Sequence, residues 1–228
     1  MQSIKIRASQ AYRIITEPKS KLDKEQGNLS ETAKTYLHEL WLYNNYGYKD
    51  ELYTNEIQKG RLNEDLATTL IQNVLGGELR IINKNYYSND YISGTPDIIL
   101  NDCIEDVKNS FSVKTFHNSE ITPAYYWQAQ CYMELLNINN YRLIYCLTQT
   151  PDNIITDLKK RLYYQFDCDE TNEYYINAST QIDINHNIYN IDQKYRVKLF
   201  NIEYNKNDII KLYAKCEKAI EYYNNIKL

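Results

Sequence analysis

Hydrophobic positions recur at helical spacing through the first third of the chain. Over residues 29–47, Tyr36, Leu37, Leu40 and Trp41 make one apolar face, Ser30 stands where an N-cap belongs and Gly47 where a helix stops. Over 54–76, Ile57, Ala67, Leu70, Ile71 and Val74 repeat in the same way, and Gly76-Gly77 ends a second helix. Shorter runs follow at 79–83, 91–94, 97–100 and 103–108, too brief for helices and read as strands. The polar pair Asn101-Asp102 separates the last two, as in a hairpin. Thr122-Pro123 starts a helix over 123–136 that is apolar or aromatic nearly all round and therefore deeply buried. The run 141–148 carries one charge and reads as a central strand. A helix over 152–166 with a basic outer face comes next, then a polar, weakly patterned stretch, 167–192, which predicts a mobile loop or insertion. A strand over 195–204 precedes a last amphipathic helix capped by Asn207, with Ile209, Leu212, Tyr213, Cys216, Ala219, Ile220 and Tyr223 at 3.6 spacing. The order predicts one α/β domain with a mixed central sheet and helices on both sides.

Composition narrows the function classes. A chain of 228 residues, 43% hydrophobic and 25% charged, is long enough for a full core and reads as a globular protein. Its apolar runs are too short for a transmembrane helix, and residues 1–16 carry charges every few positions with no apolar stretch, which predicts no secretory signal and a cytoplasmic protein. The net charge of −4 gives no global basic footprint, so any nucleic-acid contact must be local. Cys103, Cys131, Cys146, Cys168 and Cys216 contain no CxxC pair, which predicts reduced thiols, no zinc knuckle and no Fe–S cluster. The three His are far apart in sequence, so a His-rich metal site is not expected.

The candidate chemistry lies in Gly94-Thr95-Pro96-Asp97 and Ile104-Glu105-Asp106-Val107-Lys108. Asp97 opens a strand after a Pro-fixed turn. Asp106 and Lys108, two apart, share a face of the next strand, while Glu105 faces the other way. If the strands pair, Asp97 and Asp106 converge, and two carboxylates beside an ammonium suit a hard divalent cation. The same pattern alone equally describes a solvated hairpin edge. Two features add weight. Glu64 falls on the helix face of Gly60, Ala67 and Ile71, which is expected to pack on the sheet, where a carboxylate is costly unless paired or metal-bound; the alternative is an exposed Glu at the edge of that stripe. Gln128 and Tyr132, i and i+4, share a face of an apolar helix, where a Gln needs a partner, functional or merely structural.

Together, Gly60…Glu64, Pro96-Asp97, Asp106-x-Lys108 and Gln128-x-x-x-Tyr132 resemble the PD-(D/E)xK nuclease superfamily, in particular the lambda-exonuclease/YqaJ-type viral recombinase branch and its RecB-like relatives. The resemblance covers most of the chain, and Arg7-Ala8-Ser9 is similar to the short Arg/Ser motif that this branch places at the 5′-phosphate. The chain departs from Fe–S-bearing relatives in lacking their four cysteines, and it has Asp106 where many relatives have Glu. The resemblance implies a restriction-endonuclease-like core. It implies Mg²⁺ or Mn²⁺ on Asp97, Asp106 and the Val107 carbonyl, with Glu64 binding through water or holding a second ion. Lys108 would orient the attacking water or stabilise charge, and Gln128 and Tyr132 would position the scissile backbone or support the metal ligands. Arg7 and Ser9 would take the 5′-phosphate, with Lys59 and Arg61 as local DNA contacts. The implied activity is metal-dependent DNA hydrolysis at duplex ends, 5′-to-3′, in viral recombination or replication in the host cytoplasm. The implied partners are DNA and a single-strand annealing protein. Some such relatives are ring-shaped trimers and others monomers or dimers, so a homo-oligomer stays open. Two alternatives remain: a structure- or sequence-specific endonuclease on the same core, and a non-catalytic DNA-binding or inhibitor protein, against which the intact Glu64, Asp97, Asp106 and Lys108 set argues.

Overall fold

A computed structural model describes residues 4–50, 52–167 and 170–227. The first segment forms β1 (Ile6–Arg7), α1 (Ala11–Ile15), α2 (Lys21–Glu25) and α3 (Glu31–Tyr46). The Ser30 hydroxyl accepts from the Ala33 N–H, and Gly47 closes α3 in the left-handed conformation with φ 68°. Next come α4 (Asn55–Leu62) and α5 (Glu64–Leu75), then β2 (Tyr87–Ser88), β3 (Ile92–Gly94), β4 (Ile98–Ile99) and β5 (Ile104–Asn109). The second half runs α6 (Val113–His117), α7 (Pro123–Leu136), β6 (Asn140–Cys146), α8 (Asp152–Phe166), α9 (Glu173–His186), β7 (Val197–Glu203) and α10 (Lys206–Asn224).

The strands form two mixed sheets instead of one. The larger has the order β4-β5-β6-β7, with β5 and β6 parallel and the other neighbours antiparallel. The smaller has the order β1-β3-β2. Strand β3 leads through Thr95-Pro96-Asp97 into β4, so the two sheets meet at the motif. The parallel β5–β6 pair needs a crossover, and α6 with α7 supplies it. Side-chain alternation divides the large sheet. Ile104, Tyr141, Leu143, Tyr145 and Ile202 face α7 and the main core, which also takes in α1, α3 and α10. Ile144 and Cys146, with Val107 and Leu199 beside them, face Ala67, Leu70 and Ile71 of α5.

Four expectations need correction. The helix over 54–76 breaks at Asn63, a buried residue whose amide donates to the Thr148 hydroxyl at 2.8 Å and the Gln149 carbonyl at 2.7 Å. That side chain draws its backbone out of helical geometry. The strand over 79–83 reduces to a single bridge, Ile82 with Ile98, because Arg80 turns inward while Leu79 and Ile81 stay exposed. The stretch 167–192 carries α9, which packs on α8 through stacked Tyr163 and Tyr175 rings. Its pattern is weak because α9 buries only Tyr175 and His186. Cys168 and Asp169 lie outside the described residues. Finally, Asn205, not Asn207, caps α10, its side chain accepting from the N–H groups of Asn207 and Asp208. Among the described residues, no helix is long and apolar enough to cross a membrane.

Candidate active site

The turn that opens β4 is held from two sides. Asn83 donates its N–H to the Asp97 carbonyl at 2.7 Å and its amide to the Pro96 carbonyl at 2.9 Å. On the other side Gly94 lies so close to α7 that an added Cβ would come within 2.6 Å of Tyr132 Cε1. The Tyr132 hydroxyl donates to the Thr95 carbonyl at 3.1 Å. Asp97, so placed, accepts the Val107 N–H at 2.8 Å, at a level of β5 opposite the turn that precedes β4, where no strand is paired on that side. A residue's N–H and C=O point to the same side of its strand, so the Val107 carbonyl opens toward Asp97 as well.

Asp106 is 1% exposed and faces α7. Its Oδ1 accepts from the Gln128 amide at 3.1 Å, and that amide also lies 3.4 Å from the Tyr132 hydroxyl. Its Oδ2 sits 2.5 Å from Lys108 Nζ, yet no donor meets it in hydrogen-bonding geometry. The Lys108 ammonium in turn lies 5.1 Å from the centre of the Tyr125 ring. Burial raises the Asp97 pKa above the ordinary carboxylate value, and the neighbouring Asp106 charge adds to it. Burial alone would lower the Lys108 pKa, but Asp106 and Asp97 together raise it. Tyr132 is pushed up to about 12, by burial first and then by Asp106, so it stays a phenol and a donor at neutral pH. Two adjacent carboxylates and a backbone carbonyl on the same side form a hard oxygen donor set, one carboxylate oxygen of which is paired with the Lys108 ammonium.

The sequence-predicted residues divide. Asp97, Asp106, Val107, Lys108, Gln128 and Tyr132 come together. Glu64 is exposed as the first residue of α5, and that helix packs on the sheet face away from Asp106. Among the described residues no group of three His, Cys, Asp or Glu side chains is placed to hold a metal ion. Lys59 is fully buried, donating to the Phe111 carbonyl and the Thr150 hydroxyl, both at 3.0 Å, which removes it as a phosphate contact. Arg61 is exposed at the end of α4. Arg7 and Ser9 are exposed at the end of β1 and in the turn that follows. Arg7 is in register with Ser93, and the Ala8 methyl lies 3.3 Å from the position of a Gly94 Cβ, which sets this segment beside the motif turn.

The sequence does not mark Asn83 and Gly94 as the residues that hold the motif turn. Asn83 acts through backbone atoms of a distant turn and leaves no periodic signal. Gln128 had a decoy in the same helix: Gln130 is fully buried, but it donates to the Glu203 carbonyl and accepts from the Asn205 N–H, a satisfied core amide. Glu105 faces away from the site as expected and forms a buried pair with Arg80, at 2.7 Å from its Nε.

A four-stranded mixed sheet with helices on both faces and an Asp…Asp-x-Lys pair at its β4–β5 edge is a restriction-endonuclease-like core, the fold of several solved exonucleases. The phage-related exonuclease from Haemophilus somnus 129PT is similar to this chain with a TM-score of 0.78 and 25% identity, over 98% of this chain and 95% of that one. The alkaline exonuclease LHK-Exo from Laribacter hongkongensis is similar with a TM-score of 0.62 and 13% identity, over 96% of this chain and 88% of its own. Its complex with dAMP is similar at a TM-score of 0.60 and 12% identity, over the same shares of the two chains. No family model matches the chain, and no curated protein is significantly similar to it.

Proposed function

We propose that this chain is a metal-dependent DNA exonuclease that hydrolyses phosphodiester bonds at duplex ends and serves viral recombination or replication. The observation that carries the reading is the convergence of Asp97, Asp106, the Val107 backbone and Lys108 on one sheet edge. The near full-length likeness to a phage-related exonuclease supports it. Asp97, Asp106 and the Val107 carbonyl would hold Mg²⁺ or Mn²⁺, all oxygen donors suited to a hard cation. Bound there, the cation would activate the attacking water and neutralise charge on the scissile phosphate. Glu64, exposed in this structure, would act only through water. In the reaction, water oxygen attacks phosphorus, the P–O3′ bond breaks, and the ends leave as 5′-phosphate and, once protonated, 3′-hydroxyl. Lys108 supplies a positive charge and donors to the water and a non-bridging oxygen. Gln128 fixes Asp106, and Tyr132 fixes the Thr95 carbonyl. Arg7 and Ser9, in the segment beside the motif turn, would grip a terminal phosphate, since a guanidinium fork suits its geometry and extra charge.

The test is digestion of matched linear duplexes with 5′-phosphate or 5′-hydroxyl ends, and of closed circles, with Mg²⁺ and with EDTA. The reading expects Mg²⁺-dependent loss of linear DNA, intact circles, a preference for phosphorylated ends and loss of that preference in Arg7→Ala. Cleavage of closed circles would replace it with the endonuclease alternative, and binding without cleavage with the non-catalytic one.

A further inference from the structure

Lysine is a flexible carrier of charge, so a lysine that must meet a reacting phosphate needs a fixed seat. In this structure Lys108 has two neighbours of opposite kind. One is the Asp106 carboxylate at 2.5 Å, and the other is the ring of Tyr125, whose centre lies 5.1 Å from the ammonium. The carboxylate is a seat that a divalent cation would contest, because the same Asp106 oxygens are the ones a metal would take. The ring is not contested, since an aromatic face attracts a cation without supplying a ligand that Mg²⁺ prefers.

Tyr125 is itself held firmly. It stands in the first turn of α7, where the Thr122 hydroxyl accepts its N–H at 3.3 Å and Pro123 fixes the helix start. Its ring meets the ring of Tyr145 edge-on, 6.1 Å between centres at 79°. Tyr145 is the residue in register with Lys108 on the parallel strand β6, and its hydroxyl donates to the Glu120 carbonyl at 2.8 Å. Tyr125, Gln128 and Tyr132 follow one another at i, i+3 and i+7, so one face of α7 meets the ammonium, the carboxylate and the motif turn in succession.

We propose that Tyr125 is a positioning residue for Lys108, keeping its ammonium at the reacting phosphate by the face of its ring when Asp106 is shared with a divalent cation. The inference rests on the nuclease reading for its catalytic part, while the contact itself can be read without activity. Its consequence is that the ring matters and the hydroxyl does not. Tyr125→Phe should keep turnover within about twofold, whereas Tyr125→Leu should lower kcat about tenfold, the scale of a desolvated cation–π contact. KM for DNA and the Mg²⁺ dependence should stay unchanged if Tyr125 acts only through Lys108, since its ring supplies no oxygen ligand to the carboxylate pair.

The experiment joins two measurements. In protein carrying ¹³C-labelled lysine, the Lys108 methylene resonances next to the ammonium are followed by NMR in wild type, Tyr125→Phe and Tyr125→Leu, before and after Mg²⁺. Upfield ring-current shifts in the first two, persisting with Mg²⁺ and lost in Tyr125→Leu, are expected. Turnover on linear duplex is then compared for Tyr125→Leu, Lys108→Ala and the double variant. If Tyr125 acts through Lys108, Tyr125→Leu costs nothing further once Lys108 is gone. The proposal is overturned if the upfield shift is absent or vanishes with Mg²⁺, if Tyr125→Phe is as impaired as Tyr125→Leu, or if the two losses multiply. A wild type that shows the shifts but never cuts DNA refutes the nuclease reading instead, and the catalytic part of this proposal with it.

Discussion

Gly94→Ala is a one-carbon change whose effect the structure specifies. The new Cβ would meet Tyr132 Cε1 at 2.6 Å, the Tyr132 hydroxyl at 3.2 Å and the Ala8 methyl at 3.3 Å. Carbon atoms rest at about 3.5–4.0 Å, so the ring edge must retreat by about 1 Å. It has nowhere to go cheaply, because Tyr132 is 5% exposed and its hydroxyl is bonded to the Thr95 carbonyl at 3.1 Å. Overpacking of a rigid ring costs about 1–3 kcal/mol and loss of that hydrogen bond about 1 kcal/mol more. A net loss of about 3 kcal/mol corresponds to roughly 6–12 °C in Tm for a chain of this size. Thermal unfolding followed by circular dichroism measures it. The control is the same change in a Tyr132→Ala background, where only the Ala8 contact remains and the added cost should fall below about 1 kcal/mol. Equal costs in the two backgrounds, or an unshifted Tm in the single variant, would refute the steric account of the motif turn.

Three further outcomes are expected. Glu105→Ala leaves the Arg80 guanidinium, whose side chain is 3% exposed, with the neutral Gly76 carbonyl and Gln72 amide but no counter-charge, and should cost about 3–5 kcal/mol in urea unfolding; a loss below about 1 kcal/mol contradicts the buried pair. Burial lowers the Lys59 pKa from 10.5 to about 8, so between those values the unfolded chain binds more protons than the folded one. The burial penalty is therefore full below about pH 8 and is relieved as pH rises, so wild type should gain up to about 1.4 kcal/mol per pH unit relative to Lys59→Met; parallel stability–pH curves would contradict this. Lys108→Ala should lower turnover roughly a hundredfold with little change in cation affinity by calorimetry, and full turnover would make it only a strand-edge charge.

What the sequence made legible follows from where each signal is local. Caps and stops were readable at Ser30, Gly47 and Thr122-Pro123, because each acts within one helical turn. The common face of Asp106 and Lys108 was readable because strand alternation is a two-residue rule. The break at Asn63 is not legible, because it depends on a side chain bonded to residues 148 and 149, far along the chain. Glu64 shares a helix with Ala67 and Ile71 as the spacing implies, yet as the first residue of α5 it is exposed, which periodicity does not reveal. Nor could sequence tell that Lys59 ends inside, against Thr150 and Phe111, and not at the surface where most lysines lie. The helix α9 was hidden because it packs on α8 with only two buried residues, too few to print a period. Asn83 and Gly94 were beyond reach, since one holds backbone atoms of a remote turn and the other is defined by the space Tyr132 occupies.

The most direct test of the account is Mg²⁺-dependent digestion of a 5′-phosphorylated linear duplex by wild type and Asp106→Asn. The substitution keeps the shape and an oxygen for the Gln128 amide, and it removes only the charge that Asp97, Lys108 and a divalent cation would share. The account predicts digestion by wild type that EDTA abolishes and no digestion by a folded Asp106→Asn that still binds the duplex. Digestion that persists in EDTA, or an Asp106→Asn protein as active as wild type, would contradict the assignment of this carboxylate pair as the catalytic centre.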